Sequence, residues 1–146
     1  MSMTLSSSDF GEGQPIPREN TCDGTDRPLE MSWAGAPDGT AEFALVMDDP
    51  DARGFVHWVV TGIPADATAV GKLLPAGAVA GQNDFGRIGY GGPCPPSGQH
   101  RYRITLYALS EPLGLSGSPA ASEVEQAVAG RTLATAVLNG TYTRQR

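Results

Sequence analysis

The chain has two histidines, and each stands beside residues able to steer an imidazole. His57 follows the run Asp48-Asp49-Pro50-Asp51-Ala52-Arg53-Gly54-Phe55-Val56. His100 ends the run Gly89-Tyr90-Gly91-Gly92-Pro93-Cys94-Pro95-Pro96-Ser97-Gly98-Gln99. An imidazole can donate hydrogen bonds to an anion, and a nearby carboxylate fixes its tautomer or favours its charged form. Gly-rich backbone can bring N–H groups close to a ligand, while Pro stiffens the rest. Asp49, His57 and His100 therefore predict a small anion-binding pocket.

The same residue types allow other chemistry. A hydrolase would use Cys94 or Ser97 as nucleophile, His100 or His57 as base and Asp49 as orienter. Neither candidate nucleophile lies in a strand-to-helix elbow, and Pro93 and Pro95 flank Cys94 as in a rigid structural segment. Asp49, His57 and His100 would also supply three metal ligands, but no His-x-x-x-His spacing supports a metal site. We expect neither metal nor cofactor. Simpler roles compete: a strand histidine packed in a core, Asp-Asp-Pro-Asp as a turn, the Gly/Pro run as a connector, Trp58 and Tyr102 as core.

The elements that must position these residues are mostly strands. Ala41–Asp49 alternates, with Phe43, Leu45, Met47 and Asp49 on one face and Glu42, Ala44, Val46 and Asp48 on the other. Phe55–Ile63 is β-branched and aromatic. Strict alternation there puts His57 with Phe55, Val59 and Thr61, opposite Val56, Trp58 and Val60. Arg101–Leu109 is a third strand, with Tyr102, Ile104, Leu106 and Ala108 on one face. His100 joins that face if the strand starts early, and Arg103 then points to solvent or a partner charge. Pro28–Trp33 reads as a shorter strand. Gly81–Gly98 is a long Gly/Pro loop whose aromatic content argues for an ordered, functional segment. Ser118-Pro119 and Ser122-x-x-Glu125 both read as helix starts, with a stop at Gly130. Leu133–Tyr142 is ambiguous between a helical turn and a last strand. Strands first and a helix late predict a mainly β fold, a β-sandwich with a short C-terminal helical segment.

With 146 residues, the chain has the size of a single domain, which we take as 1–146 with 1–9 as a loose or edge segment. A formal net charge of −6 and the lack of any Lys/Arg cluster exclude a nucleic-acid surface. Any anion must be held locally, against the overall field. No apolar run approaches the roughly 18 residues of a membrane span. The polar start Met1–Asp9 leads us to expect a cytoplasmic protein. Cys22 and Cys94 could pair, although sequence alone does not give their separation.

Taken in order, the motifs closely resemble the phosphatidylethanolamine-binding protein family, in its bacterial and archaeal Raf-kinase-inhibitor-like branch. They are Asp48–Asp51, Val56-His57-Trp58-Val59-Val60, Asn83-Asp84-Phe85-Gly86, Gly89–Pro96 and His100-Arg101-Tyr102. Thr21-Cys22-Asp23-Gly24, Trp33 and Gly140-Thr141-Tyr142 extend the resemblance from about Phe10 to Tyr142. It implies a Greek-key β-sandwich of two antiparallel sheets and a non-enzymatic pocket for phosphate, carboxylate or a phospholipid head group. The implied wall is Asp49, Pro50, Asp51, His57, Gly92, Pro95, Pro96, His100 and Tyr102. The histidines and Tyr102 would be donors, and Asp49 would orient a histidine. The resemblance also implies a kinase or protease as protein partner and is compatible with a homodimer. Arg53 departs from it, standing where the family usually has a second proline. We expect its side chain in solvent.

Overall fold

The computed structural model describes residues 2–144; Met1, Gln145 and Arg146, which the 1–146 reading takes in, lie outside the described residues. Among the described residues, eight strands and one α-helix follow in the order β1 (Thr4–Ser7), β2 (Met31–Ala34), β3 (Glu42–Asp49), β4 (Phe55–Pro64), β5 (Ala69–Val70), β6 (Val79–Ala80), β7 (Gln99–Leu109), α1 (Ala121–Val128) and β8 (Thr132–Thr143). They form two antiparallel sheets, ordered β1-β2-β5 and β6-β4-β3-β7-β8. The mainly β reading with two sheets and a late helix holds.

The alternation in β3 explains how the layers meet. Phe43, Leu45 and Met47 join Trp58, Val60, Ile104 and Leu106 in the core between the sheets, with Met31 and Trp33 opposite. Ala44 and Val46 face the other way and pack with Val59, Leu109, Val124 and Val128 under α1. The central sheet is thus apolar on both faces, as a layer covered on both sides requires. β1 and β5 are the edge strands of the smaller sheet.

Several boundaries differ from the sequence reading. The short strand is Met31–Ala34, later than Pro28–Trp33. The ambiguous tail is a strand, paired with β7 along its length from Gln99↔Thr143 to Leu109↔Thr132. The helix starts at Ala121, so Ser122 lies inside it. Its start is held by Glu123, whose carboxylate accepts from the Ala120 amide at 3.1 Å. Neither serine caps it. Ala69–Val70 and Val79–Ala80 are too short to show a period in sequence.

The largest departure is in β4. Met47 pairs with Trp58, but the next residue, Asp48, pairs with Val56. His57 is therefore the extra residue of a β-bulge. Val56 packs under α1 and Trp58 lies between the sheets, so the two do not share a face as strict alternation predicts. The bulge frees His57 from the ladder and turns it to the end of the sheet.

Candidate functional site

At that end, the backbone after β3 turns through Pro50–Ala52, a single 3-10 turn. Asp49 caps it: one carboxylate oxygen accepts from the Asp51 amide at 2.8 Å, and Pro50 occupies a position where no N–H is needed. The other oxygen accepts from His100 Nδ1 at 2.6 Å. Asp49 is thus the orienter of His100, as expected, and is only 3% exposed. Asp51 is exposed and points elsewhere, taking the Arg101 amide at 2.8 Å. Arg53 closes the turn at φ +58°, a left-handed conformation that proline's ring forbids. The missing family proline is thus a change of backbone as well as of side chain. Arg53 is exposed, in solvent as expected.

His57 is held by a reciprocal pair. Its Nδ1–H donates to the Gly91 carbonyl at 2.7 Å, and the Gly91 amide donates back to the His57 carbonyl at 2.9 Å. Phe55, Phe85 and Tyr102 surround the ring edge to face, with centroids 5.1, 5.4 and 5.2 Å away. The motif Asn83-Asp84-Phe85-Gly86 sets Phe85 there. Asp84 accepts from the Val56 amide at 2.7 Å, and Asn83 Oδ1 accepts from the Phe85 amide at 3.0 Å.

Burial pushes the His57 pKa below its ordinary 6.5, against the upward pull of the Gly91 carbonyl and the Asp49 charge. A depressed pKa means the unfolded chain takes up this proton more readily. The stability that His57 contributes is full above pH 6.5 and is lost as pH falls toward the folded-state value. Urea unfolding at pH 7.5 and 5.5 should show a smaller acid loss in His57→Gln than in the parent chain; equal losses would contradict this.

Because β7 begins at Gln99, His100 and Tyr102 share a face, the early start the sequence allowed. Their rings stack with centroids 6.3 Å apart. Tyr102 is fully buried, yet its hydroxyl makes no hydrogen bond within the chain. Burial, with Asp49 and Asp51 nearby, holds its pKa well above the ordinary value, so it remains a donor. Arg103, on the other face, binds Asp48 through two bonds of 3.0 and 2.7 Å, which decides between the solvent and partner-charge alternatives in favour of the second.

These side chains line a cavity of about 200 Å³. Of the residues predicted from sequence, Asp49, His57, Pro95, Pro96, His100 and Tyr102 reach it. Pro50 and Asp51 build the turn beside it. Gly92 lies behind the wall, its amide donating to Asp26 at 2.8 Å. Sequence reasoning missed Ala52, Phe55, Phe85 and Cys94 as wall. Phe55 and Phe85 each sit in a motif already singled out, so that position was the available signal. Cys94 forms a disulfide with Cys22, Cα atoms 5.4 Å apart. Its sulfur is not a thiolate, which corrects the Cys94 form of the hydrolase reading. Ser97 is exposed and outside the cavity lining. Among the described residues, no His, Cys, Asp and Glu group is arranged to hold a metal. None of the described helices is long and apolar enough to cross a membrane.

The family model for phosphatidylethanolamine-binding proteins matches residues 6–143. An Aquifex aeolicus UPF0098 protein is 43% identical over 152 residues, covering 97% of this chain and 89% of its own. A Mycobacterium tuberculosis protein named as lipoprotein LppC is 44% identical over 138 residues, covering 88% of this chain and 68% of its own. A phosphatidylethanolamine-binding protein homologue from Chlamydia trachomatis superposes with a TM-score of 0.92 at 32% identity, covering 99% of both chains. YbcL of E. coli, described as a member of the mammalian family, gives 0.91 at 30% identity, covering 99% of this chain and all of its own.

Proposed function

The chain belongs to the phosphatidylethanolamine-binding protein family, and from that premise we propose that its pocket binds a small oxyanion: phosphate, carboxylate or the phosphate of a lipid head group. The observation that carries this reading is Tyr102, a residue of the cavity wall whose buried hydroxyl has no partner within the chain. A buried hydroxyl without a partner costs about 1–3 kcal/mol, and an oxyanion in the cavity supplies the missing acceptor. His57 and His100 line the same cavity, their ring centroids 5.2 and 6.3 Å from that of Tyr102. Phe55, Phe85, Pro95 and Pro96 give the rest of the wall an apolar surface suited to the carbon part of an ester or acid.

The binding role is non-enzymatic in this reading. It is supported by Cys94 being tied in a disulfide and Ser97 standing outside the cavity. Regulation of a partner kinase or protease rests on the family resemblance alone. For the compartment, the Cys22–Cys94 pair weighs against our cytoplasmic expectation, since disulfides persist where conditions are oxidising.

Tyr102→Phe tests the pocket. It removes the donor without changing the ring, so calorimetric titration with inorganic phosphate should show roughly tenfold weaker binding. Stability in urea should stay level or rise by about 1 kcal/mol, because the unpartnered hydroxyl is gone. Unchanged phosphate affinity would remove the hydroxyl from the site.

A further inference from the structure

We propose that the pocket takes up its oxyanion together with one proton, which comes to rest on Nε2 of His57. This rests on the oxyanion reading above. The argument begins at the Gly91 carbonyl. A carbonyl only accepts, so the 2.7 Å bond fixes the His57 proton on Nδ1. The returning bond from the Gly91 amide ties the two backbones together, and three aromatic rings pack round the imidazole. The ring cannot turn over without breaking the Nδ1 bond. The neutral ring therefore offers the cavity a lone pair at Nε2.

A fully ionised oxyanion also offers only lone pairs. Acceptor would face acceptor beside an imidazole that is itself buried, a mismatch that a single proton between them converts into a charge-assisted hydrogen bond. The proton can arrive on the ligand as an acid O–H, or from solvent onto the imidazole. Both give the same bound state.

Charge balance points the same way. Asp49 on β3 and Asp26 in the loop after Thr21 are the carboxylates that act on His57, and both favour its charged form. From β7, Tyr102 faces the ring as a neutral donor, and His100 beyond it is engaged with Asp49. Arg87 lies over the Phe85 ring, 5.4 Å from its centroid. The disulfide does not titrate. An anion entering without a proton would meet the Asp49 carboxylate in a chain already carrying a net charge of −6. With the proton, the imidazolium offsets one unit of the anion's charge.

Inorganic sulfate is the probe, because it carries no proton of its own near neutral pH. The full chain, titrated with sulfate in two buffers of different ionisation enthalpy, should take up about one proton per site. Its affinity should fall about tenfold per pH unit above neutrality. Imidazole ¹⁵N shifts should place that proton on His57 Nε2. Binding with no buffer dependence and no pH dependence overturns the proton linkage and leaves the oxyanion reading standing. A proton that appears on His100 alone overturns the assignment to His57. Absence of binding by sulfate and by phosphate from pH 5.5 to 8.5 overturns the oxyanion reading and this inference with it.

Discussion

Replacing Cys22 and Cys94 together by serine should lower the stability of the fold by about 4 kcal/mol. The bond joins positions 72 residues apart, and the entropy an unfolded chain regains when a loop of that length is released is of this size. The bond also holds a particular arrangement. Cys22 lies in the turn Thr21–Asp26, and its amide donates to the Pro93 carbonyl at 3.2 Å. Cys94, one residue further on, lines the cavity. The turn is therefore the outer brace of the pocket wall. Its other ties include the Gly92 amide on Asp26 at 2.8 Å, and the Tyr142 hydroxyl and Arg144 guanidinium on Asp23 at 2.6 and 2.9 Å. Those bonds should keep the serine variant folded at low temperature but with a looser wall and weaker phosphate binding. Urea unfolding of the variant, and of the parent chain with and without reductant, measures the loss. A drop below about 1 kcal/mol would mean that the hydrogen bonds alone hold the turn. Cys22 is exposed, so reductant has access to the bond.

How far the sequence revealed this arrangement depended on whether a residue's role was periodic. Phe43, Leu45 and Met47 fall on one face at spacing two, and that face is the core. Asp49 continues the same face past the end of the apolar run, which is why the alternation led to a buried carboxylate beside the site. β4 hid its bulge because both of its faces are apolar. When Val56, Trp58, Val59 and Val60 are all buried, an extra residue leaves no mark in the pattern. The strand could be read, but not which way His57 points. The lone histidines and the motif order identified the pocket's polar members. Its apolar wall was not legible, since Phe55 and Phe85 come together only once Asp84 has accepted from the Val56 amide. Pairing of Cys22 with Cys94 was left open for the same reason: their approach depends on Pro93 meeting the turn, a contact between segments whose cysteines stand 72 residues apart.

Gly92 and Gly91 are adjacent, and substituting each by alanine should give opposite kinds of damage. A methyl group on Gly92 would overlap the backbone carbonyl of Asn20 and crowd the Asp26 carboxylate. Neither can yield easily. The Asn20 carbonyl is held by the Tyr90 hydroxyl at 2.7 Å, and Asp26 is held by Gly92 itself. Gly92→Ala must therefore push the Thr21–Asp26 turn off the wall, straining the disulfide that crosses the same gap. We expect a loss of about 3 kcal/mol, at the upper end of the overpacking range, because the obstacle is backbone. On Gly91 the methyl would meet the Phe85 ring, a side chain 38% exposed rather than backbone. Gly91→Ala should cost under about 1 kcal/mol in urea, yet displace the ring that forms the pocket's outer wall and weaken phosphate binding several-fold. The resemblance placed Gly92, and not Gly91, in the pocket wall. The geometry gives the two different roles: Gly92 admits a neighbouring carbonyl behind the wall, and Gly91 admits the aromatic lip in front of it. Equal stability losses in the two variants would contradict this division. Comparing the urea midpoints with the phosphate titrations for both chains decides it.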